Sequence, residues 1–185
     1  MPQPYPVRAG WLTLGIAMLL WFPAHPQSSA QTASEYQVKA AYLYNFAKFV
    51  EWPAQDFANP EAPIALCVLD DPSFVSELNR IVKGKAVANH PVSVVPVKTP
   101  EQSRNCHILF INSSHDGQAR HIIEVLRDTN VLTVGETKGF VEDGGIINFV
   151  LEDDRVQFQV NHKAAKEAGL SISSRLLAVA RVVIE

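Results

Sequence analysis

Two apolar runs flank an acidic break in GGIINFVLEDDRVQFQVN, residues 144–161, and that spacing predicts a β-hairpin. The two arms differ. In residues 146–151 apolar side chains fall on both faces, the pattern of a strand covered on both sides by helices. In residues 155–160 the alternation is strict, with Val156, Phe158 and Val160 on one face and Arg155, Gln157 and Gln159 on the other. This predicts a strand with one wet face at a sheet edge. Gly144-Gly145 supplies the permissive backbone for the turn into the first arm.

Upstream, the period changes between strand and helix. Ser34-Glu35-Tyr36-Gln37 has the form of a capping box with Ser34 as N-cap, and Val38, Ala41, Tyr42, Phe46, Phe49 and Val50 then recur at helical spacing. Glu35 and Lys39 are spaced for a surface pair, and Pro53 ends the helix by disfavouring helical geometry at Trp52. The aromatic residues on this helix read as core in preference to a partner-binding stripe. Residues 64–69 (IALCVL) and 107–111 (HILFI) are continuous apolar runs, read as buried strands, and residues 92–97 and 131–134 complete a set of four.

Helices are expected between these strands. Pro72 opens one carrying Phe74, Val75, Leu78, Ile81 and Val82, closed by Lys83-Gly84-Lys85; another carries Ile122, Ile123, Val125 and Leu126. A loop over residues 135–143 holds a helical turn around Phe140. After the hairpin, Asn161 caps a helix over 162–168 that ends at Gly169, and Ser171 caps a last helix carrying Ile172, Leu176, Leu177, Val179, Ala180 and Val183. The fold class expected is α/β: a three-layer sandwich, mostly parallel sheet with a C-terminal antiparallel hairpin.

Composition narrows the functional classes. The 185 residues hold 47% hydrophobic content, enough for one domain with a real core, and 16 Lys plus Arg stand against 19 Asp plus Glu with no basic cluster. That balance disfavours nucleic acid, which needs a concentrated positive face. Arg8, an apolar run over residues 11–22 and the small residues Ser28 and Ala30 predict a secretory signal peptide over residues 1–30, cleaved after Ala30, with residues 31–185 as a single domain. The alternative is an uncleaved anchor, against which the short apolar run argues. Export changes the meaning of the two cysteines, Cys67 and Cys106: in an oxidising compartment an even count reads as one disulfide, the alternative being two buried free thiols.

No catalytic motif is present: no HExxH, GxSxG, P-loop, GxGxxG or CxxC. His90, His107, His115, His121 and His162 show no metal-ligand spacing. Ser113, Ser114, His115 and Asp116 crowd together as an acyl-transfer set would, but helix capping accounts for the same residues. Open α/β sheets bind ligands beyond the carboxyl ends of their strands. Those ends carry Asp70 and Asp71, then Asn112, Ser113 and Ser114, then Gly135, Glu136 and Thr137, a set that suits a small polar ligand and equally suits ordinary β-to-α turns. A second candidate, for a carboxylate or phosphate, is Ser171, Ser173, Ser174 and Arg175 at a helix start, with capping again the alternative.

AAYLYNFAKFVEWP (40–53), LCVLDD (66–71), CHILFIN (106–112), VLTVGE (131–136), GGIINFVLEDDRVQFQVN (144–161) and AKEAGLSISSRLLAVARVV (165–183) together resemble the YfiR family of Gram-negative periplasmic proteins. The resemblance runs from about Tyr36 to the C-terminus. It implies an α/β sandwich, often dimeric, without known catalysis; no catalytic residue, metal or cofactor is expected from the residues themselves. It further implies repression of a membrane-bound diguanylate cyclase, or a related partner such as a sensor kinase, through that partner's periplasmic domain, and so restraint of biofilm formation. Cys67 and Cys106 fall where family members carry a disulfide. The second bridge that some members place around the stretch matching residues 141–148 has no cysteines here. A small-molecule sensing module is the competing expectation.

Overall fold

Side chains alternate across the strand Ile64–Leu69 (β2): Ile64, Leu66 and Val68 join one hydrophobic cluster, Cys67 and Leu69 the other. Two buried faces on one strand require cover on both sides. The chain is described by a computed structural model covering residues 28–185 together with Met1 and Gln3. The rest of the expected signal peptide lies outside the described residues. The cover on one side comes from α1 (Ser28–Phe49) and α2 (Pro72–Val82), and on the other from α3 (Ala119–Val125) and the loop bearing Phe140. The result is the expected three-layer α/β sandwich.

β1 (Val50–Glu51) is a short strand, and β3 (Ala86–Val87) and β4 (His90–Val97) follow β2. β5 (Ile108–Phe110), β6 (Leu132–Gly135), β7 (Ile147–Glu152) and β8 (Arg155–Asn161) come next, then α4 (His162–Glu167), β9 (Ser171–Ile172), α5 (Ser174–Leu177) and β10 (Val182–Ile184). Eight strands form one sheet in the order β10-β8-β7-β6-β5-β2-β4-β3. The pairs β2·β4, β2·β5, β5·β6, β6·β7 and β10·β8 are parallel; β7·β8 and β3·β4 are antiparallel.

The hairpin is tighter than a four-residue break. Glu152 pairs with Arg155, leaving Asp153 and Asp154 as a two-residue turn with φ of 49° and 58°. Positive φ at both central positions is the signature of a type I′ turn, whose twist matches that of the strands it joins. The expected edge position of β8 is corrected: β10 pairs beyond it, with Val182, Val183 and Ile184 opposite Gln159, Val160 and Asn161. The last helix is corrected with it. α5 is only four residues long and capped by Ser173, because Ser171 and Ile172 pair with Glu51 and Val50, and the β-branched run Val182-Val183-Ile184 takes strand geometry.

Other expected boundaries hold or shift for local reasons. Asn161 Oδ1 accepts from the Ala164 N–H at 2.8 Å, capping α4. At the far end Leu170 N–H reaches Ala165 O and Gly169 N–H reaches Lys166 O, a Schellman ending with Gly169 at φ 70°. The backbone of α1 runs from Ser28, so Ser34 lies inside it rather than at its N-cap, and it stops at Phe49, before Pro53 can act, because Val50 and Glu51 enter the small β1·β9 sheet. β4 includes both Pro91 and Pro96; it is covered on its outer side only by the two residues of β3, and an edge tolerates the missing donor. Gly145 is required by close approach: an added Cβ would lie 2.1 Å from the Phe140 ring.

Cys67 on β2 and Cys106, two residues before β5, form a disulfide with Cα atoms 6.0 Å apart. A bridge spanning 39 positions restricts the unfolded chain by about 3–4 kcal/mol. The Cys67→Ala/Cys106→Ala double variant is expected to lose roughly that much stability, seen as a lower urea midpoint against wild type under oxidising conditions. An unchanged midpoint would mean that the bridge constrains nothing the fold needs.

Candidate functional site

The carboxyl ends of β2, β5 and β6 meet the amino half of α1. Asp71 follows β2 and caps α2, its Oδ1 accepting from the Phe74 N–H at 2.9 Å. Its Oδ2 accepts from Tyr36 O–H and from Asn112 Nδ2–H, each at 3.0 Å. Asn112 Oδ1 in turn accepts from Ser114 Oγ–H at 2.6 Å and lies 2.9 Å from His115 Nδ1. One residue past β6, Glu136 accepts from the Ser113 N–H at 2.9 Å and from Lys39 Nζ at 2.5 Å, while Lys39 also pairs with Glu35.

The expected Glu35–Lys39 surface pair is thus a correction: Lys39 is only 5% exposed and is held between two carboxylates. An ammonium taken out of water needs that pairing, since desolvation alone would cost several kcal/mol. Burial, donation to the Asp71 carboxylate and the negative charges of Asp71, Glu136 and Glu35 together push the Tyr36 hydroxyl up to about 12. The phenol stays protonated and donates.

Of the strand-end residues expected to hold a ligand, Asn112, Ser113 and Glu136 therefore come together with Asp71, but around groups of the chain's own α1. Tyr36 and Lys39 occupy the place where open α/β sheets receive a ligand. Asp70 sits outside this network, exposed at φ 45°, and Gly135 packs its backbone against Phe140, where a Cβ would lie 2.6 Å from the ring. Ser114 Oγ lies 3.1 Å from His115 Nδ1, but its proton is directed to Asn112; Ser114 is exposed and His115 half-buried.

Ser173, Ser174 and Arg175 lie elsewhere. The Ser173 N–H bonds Phe49 O at the other end of α1, roughly 15 Å along the helix from Lys39. Ser173 Oγ accepts from the Arg175 N–H at 3.3 Å, the capping role. Ser171 is spent on the β1·β9 pairing.

Three of the described histidines lie at the two ends of the sheet. His115 belongs to the carboxyl end. At the amino end Phe57 stacks on His90 at 4.1 Å and lies 4.7 Å from His107, whose backbone O accepts from Trp52 Nε1–H at 3.1 Å. Nothing in the spacing of Trp52, Phe57, His90 and His107 signals this cluster, because it is assembled by the parallel pairing of β2 with β4 and β5. Among the described residues, no group of three or more His, Cys, Asp or Glu is arranged to hold a metal, and no helix is long and apolar enough to cross a membrane.

An α/β sandwich whose strand-end crevice is closed by its own first helix defines the structural class. The YfiR/HmsC-like family model matches residues 36–181, and the chain belongs to that family. No curated protein matches the chain. Among solved structures it is similar to a conserved domain protein from Vibrio cholerae O1 biovar El Tor, with a TM-score of 0.57 and 12% identity, over 80% of this chain and 60% of that one. It also has a likeness to the ABC domain in complex with L-Trp from Streptococcus pneumonia, at a TM-score of 0.46 and 13% identity, over 65% of this chain and 55% of that one. The chain thus spans less than two thirds of either solved chain.

Tyr36 makes the crevice testable. A folded-state hydroxyl raised to about 12 from 10 keeps its proton where the unfolded chain has lost it. Its contribution is therefore complete below pH 10 and is lost as pH rises toward 12. Tyr36→Phe is expected to destabilise by about 1 kcal/mol at neutral pH, the net worth of one hydrogen bond, and to show a shallower loss of stability than wild type across that alkaline window. Urea unfolding across a pH series measures both.

Proposed function

We propose that this chain is a periplasmic, non-catalytic regulator that represses an inner-membrane signalling protein, such as a diguanylate cyclase or a sensor kinase, by binding its periplasmic domain. The observation that carries this reading is the family match over residues 36–181. Export through the signal peptide expected over residues 1–30 delivers the chain to the compartment where such a domain is exposed, and the Cys67–Cys106 bridge suits that compartment. The strand-end groups support it from another side: Asp71, Asn112 and Glu136 are engaged in holding α1 rather than left open for chemistry.

Repression by binding needs a surface. Leu151, Val179 and Val182, exposed at 55%, 69% and 41%, are large apolar side chains near the outer end of the sheet, where the far edge of β10 pairs with no strand among the described residues. They serve as the contact surface in this reading, toward the partner or toward a second copy in a homodimer. The competing reading, a small-molecule module at the strand-end loops, would place a ligand where Tyr36 and Lys39 now sit.

Deleting the gene in a strain with an intact partner cyclase is expected to raise cellular cyclic di-GMP, and wild-type complementation to restore it. A Leu151→Asp/Val179→Asp variant should fold with an unchanged melting temperature yet fail to complement. Unchanged cyclic di-GMP on deletion would defeat the reading.

A further inference from the structure

At the amino end of the sheet lies a cleft of about 320 Å³, opposite the crevice closed by α1. Two of its lining residues each carry a buried polar atom with no partner among the described residues: His107 Nε2 and Asp56 Oδ2. Leaving such a group unmatched costs about 1–3 kcal/mol, so a pair of them in one cleft calls for an occupant.

Their chemistry is complementary. His107 is 7% exposed, and its Nδ1 accepts from the Ala65 N–H at 3.1 Å, so the neutral ring carries its proton on Nε2 and offers a donor. Burial and the neighbouring His90 hold the imidazole below its usual range, which keeps the ring in that neutral form. Asp56, on the 3₁₀ turn Ala54–Asp56, offers an acceptor. The occupant must therefore accept at one atom and donate at another.

The remaining walls narrow the class. Trp52 brings an indole ring to the cleft, fixed by its Nε1–H bond to His107 O. Arg104 and Asn105 add donors and an amide oxygen, and Cys106 is closed in the disulfide. Charges of both signs are present, and amide and carboxylate groups outnumber apolar ones. Adjacent hydroxyls, each able to donate and accept, meet such a wall, while the C–H face of a ring suits an aromatic side chain. The volume admits a single ring.

We infer that the cleft between Trp52, Asp56, Arg104, Asn105 and His107 is a binding site for a neutral hexopyranose sugar, with hydroxyls donating to Asp56 and accepting from His107 Nε2–H. The site is separate from the apolar surface assigned to protein binding, so either assignment can fail without the other.

The test is saturation-transfer NMR and calorimetry on the purified chain with glucose, galactose and N-acetylglucosamine, with glycine and inorganic phosphate as comparison probes. Sugar binding is expected, weakened at least about tenfold by Asp56→Ala and by Asn105→Ala, and unaffected by the surface variant Glu77→Ala. The His107 Nε2 nitrogen resonance of the wild-type protein should shift on adding the sugar, a readout that does not depend on any variant folding. No binding of any sugar, binding only of glycine or phosphate, sugar binding indifferent to Asp56 and Asn105, or a static His107 resonance would each overturn the assignment.

Discussion

The packing of α1 across one face of the sheet is the contact on which most of the structure depends. Ala40, Leu43, Phe46 and Ala47 are buried along its inner side, and the Phe46 ring lies 5.1 Å from Phe158 and 5.8 Å from Phe149. This binds the N-terminal helix to the C-terminal hairpin, so neither can be removed without exposing the other. Stripping one such phenylalanine from a core costs about 3–5 kcal/mol, a large share of the stability of a domain this size.

The same helix decides the electrostatics at both ends. At the carboxyl end its Tyr36 and Lys39 satisfy Asp71 and Glu136, and at the amino end its last carbonyl accepts from Ser173. A crevice that the α/β topology would leave open is thereby filled by the chain itself.

The disulfide works on the opposite face. Cys67 and Cys106 sit in the smaller cluster with Leu109, Ile122 and Phe140, where cover comes from a seven-residue helix and a loop. A covalent tie there compensates for thin packing. Cys106 is followed in the chain by His107, and both line the amino-end cleft.

What the chain determined by itself was what depends on neighbours in sequence. Strict alternation in residues 155–160, continuous apolar runs at 64–69 and 107–111, and the caps Asn161 and Gly169 specify their elements locally, because period and φ/ψ preference act over a few residues. Only the tertiary structure decided that Lys39 is buried, that Val182–Ile184 extends the sheet beyond β8, and that Trp52, Asp56 and His107 share a cleft. A lysine at helical spacing from a glutamate reads as a surface pair until Glu136, ninety-seven positions away, is placed beside it. A β-branched run continues a helical pattern on paper until a strand with a free edge is there to accept its backbone hydrogen bonds. The unmatched nitrogen of His107 has no trace in the sequence at all, since it results from three distant segments closing around one ring.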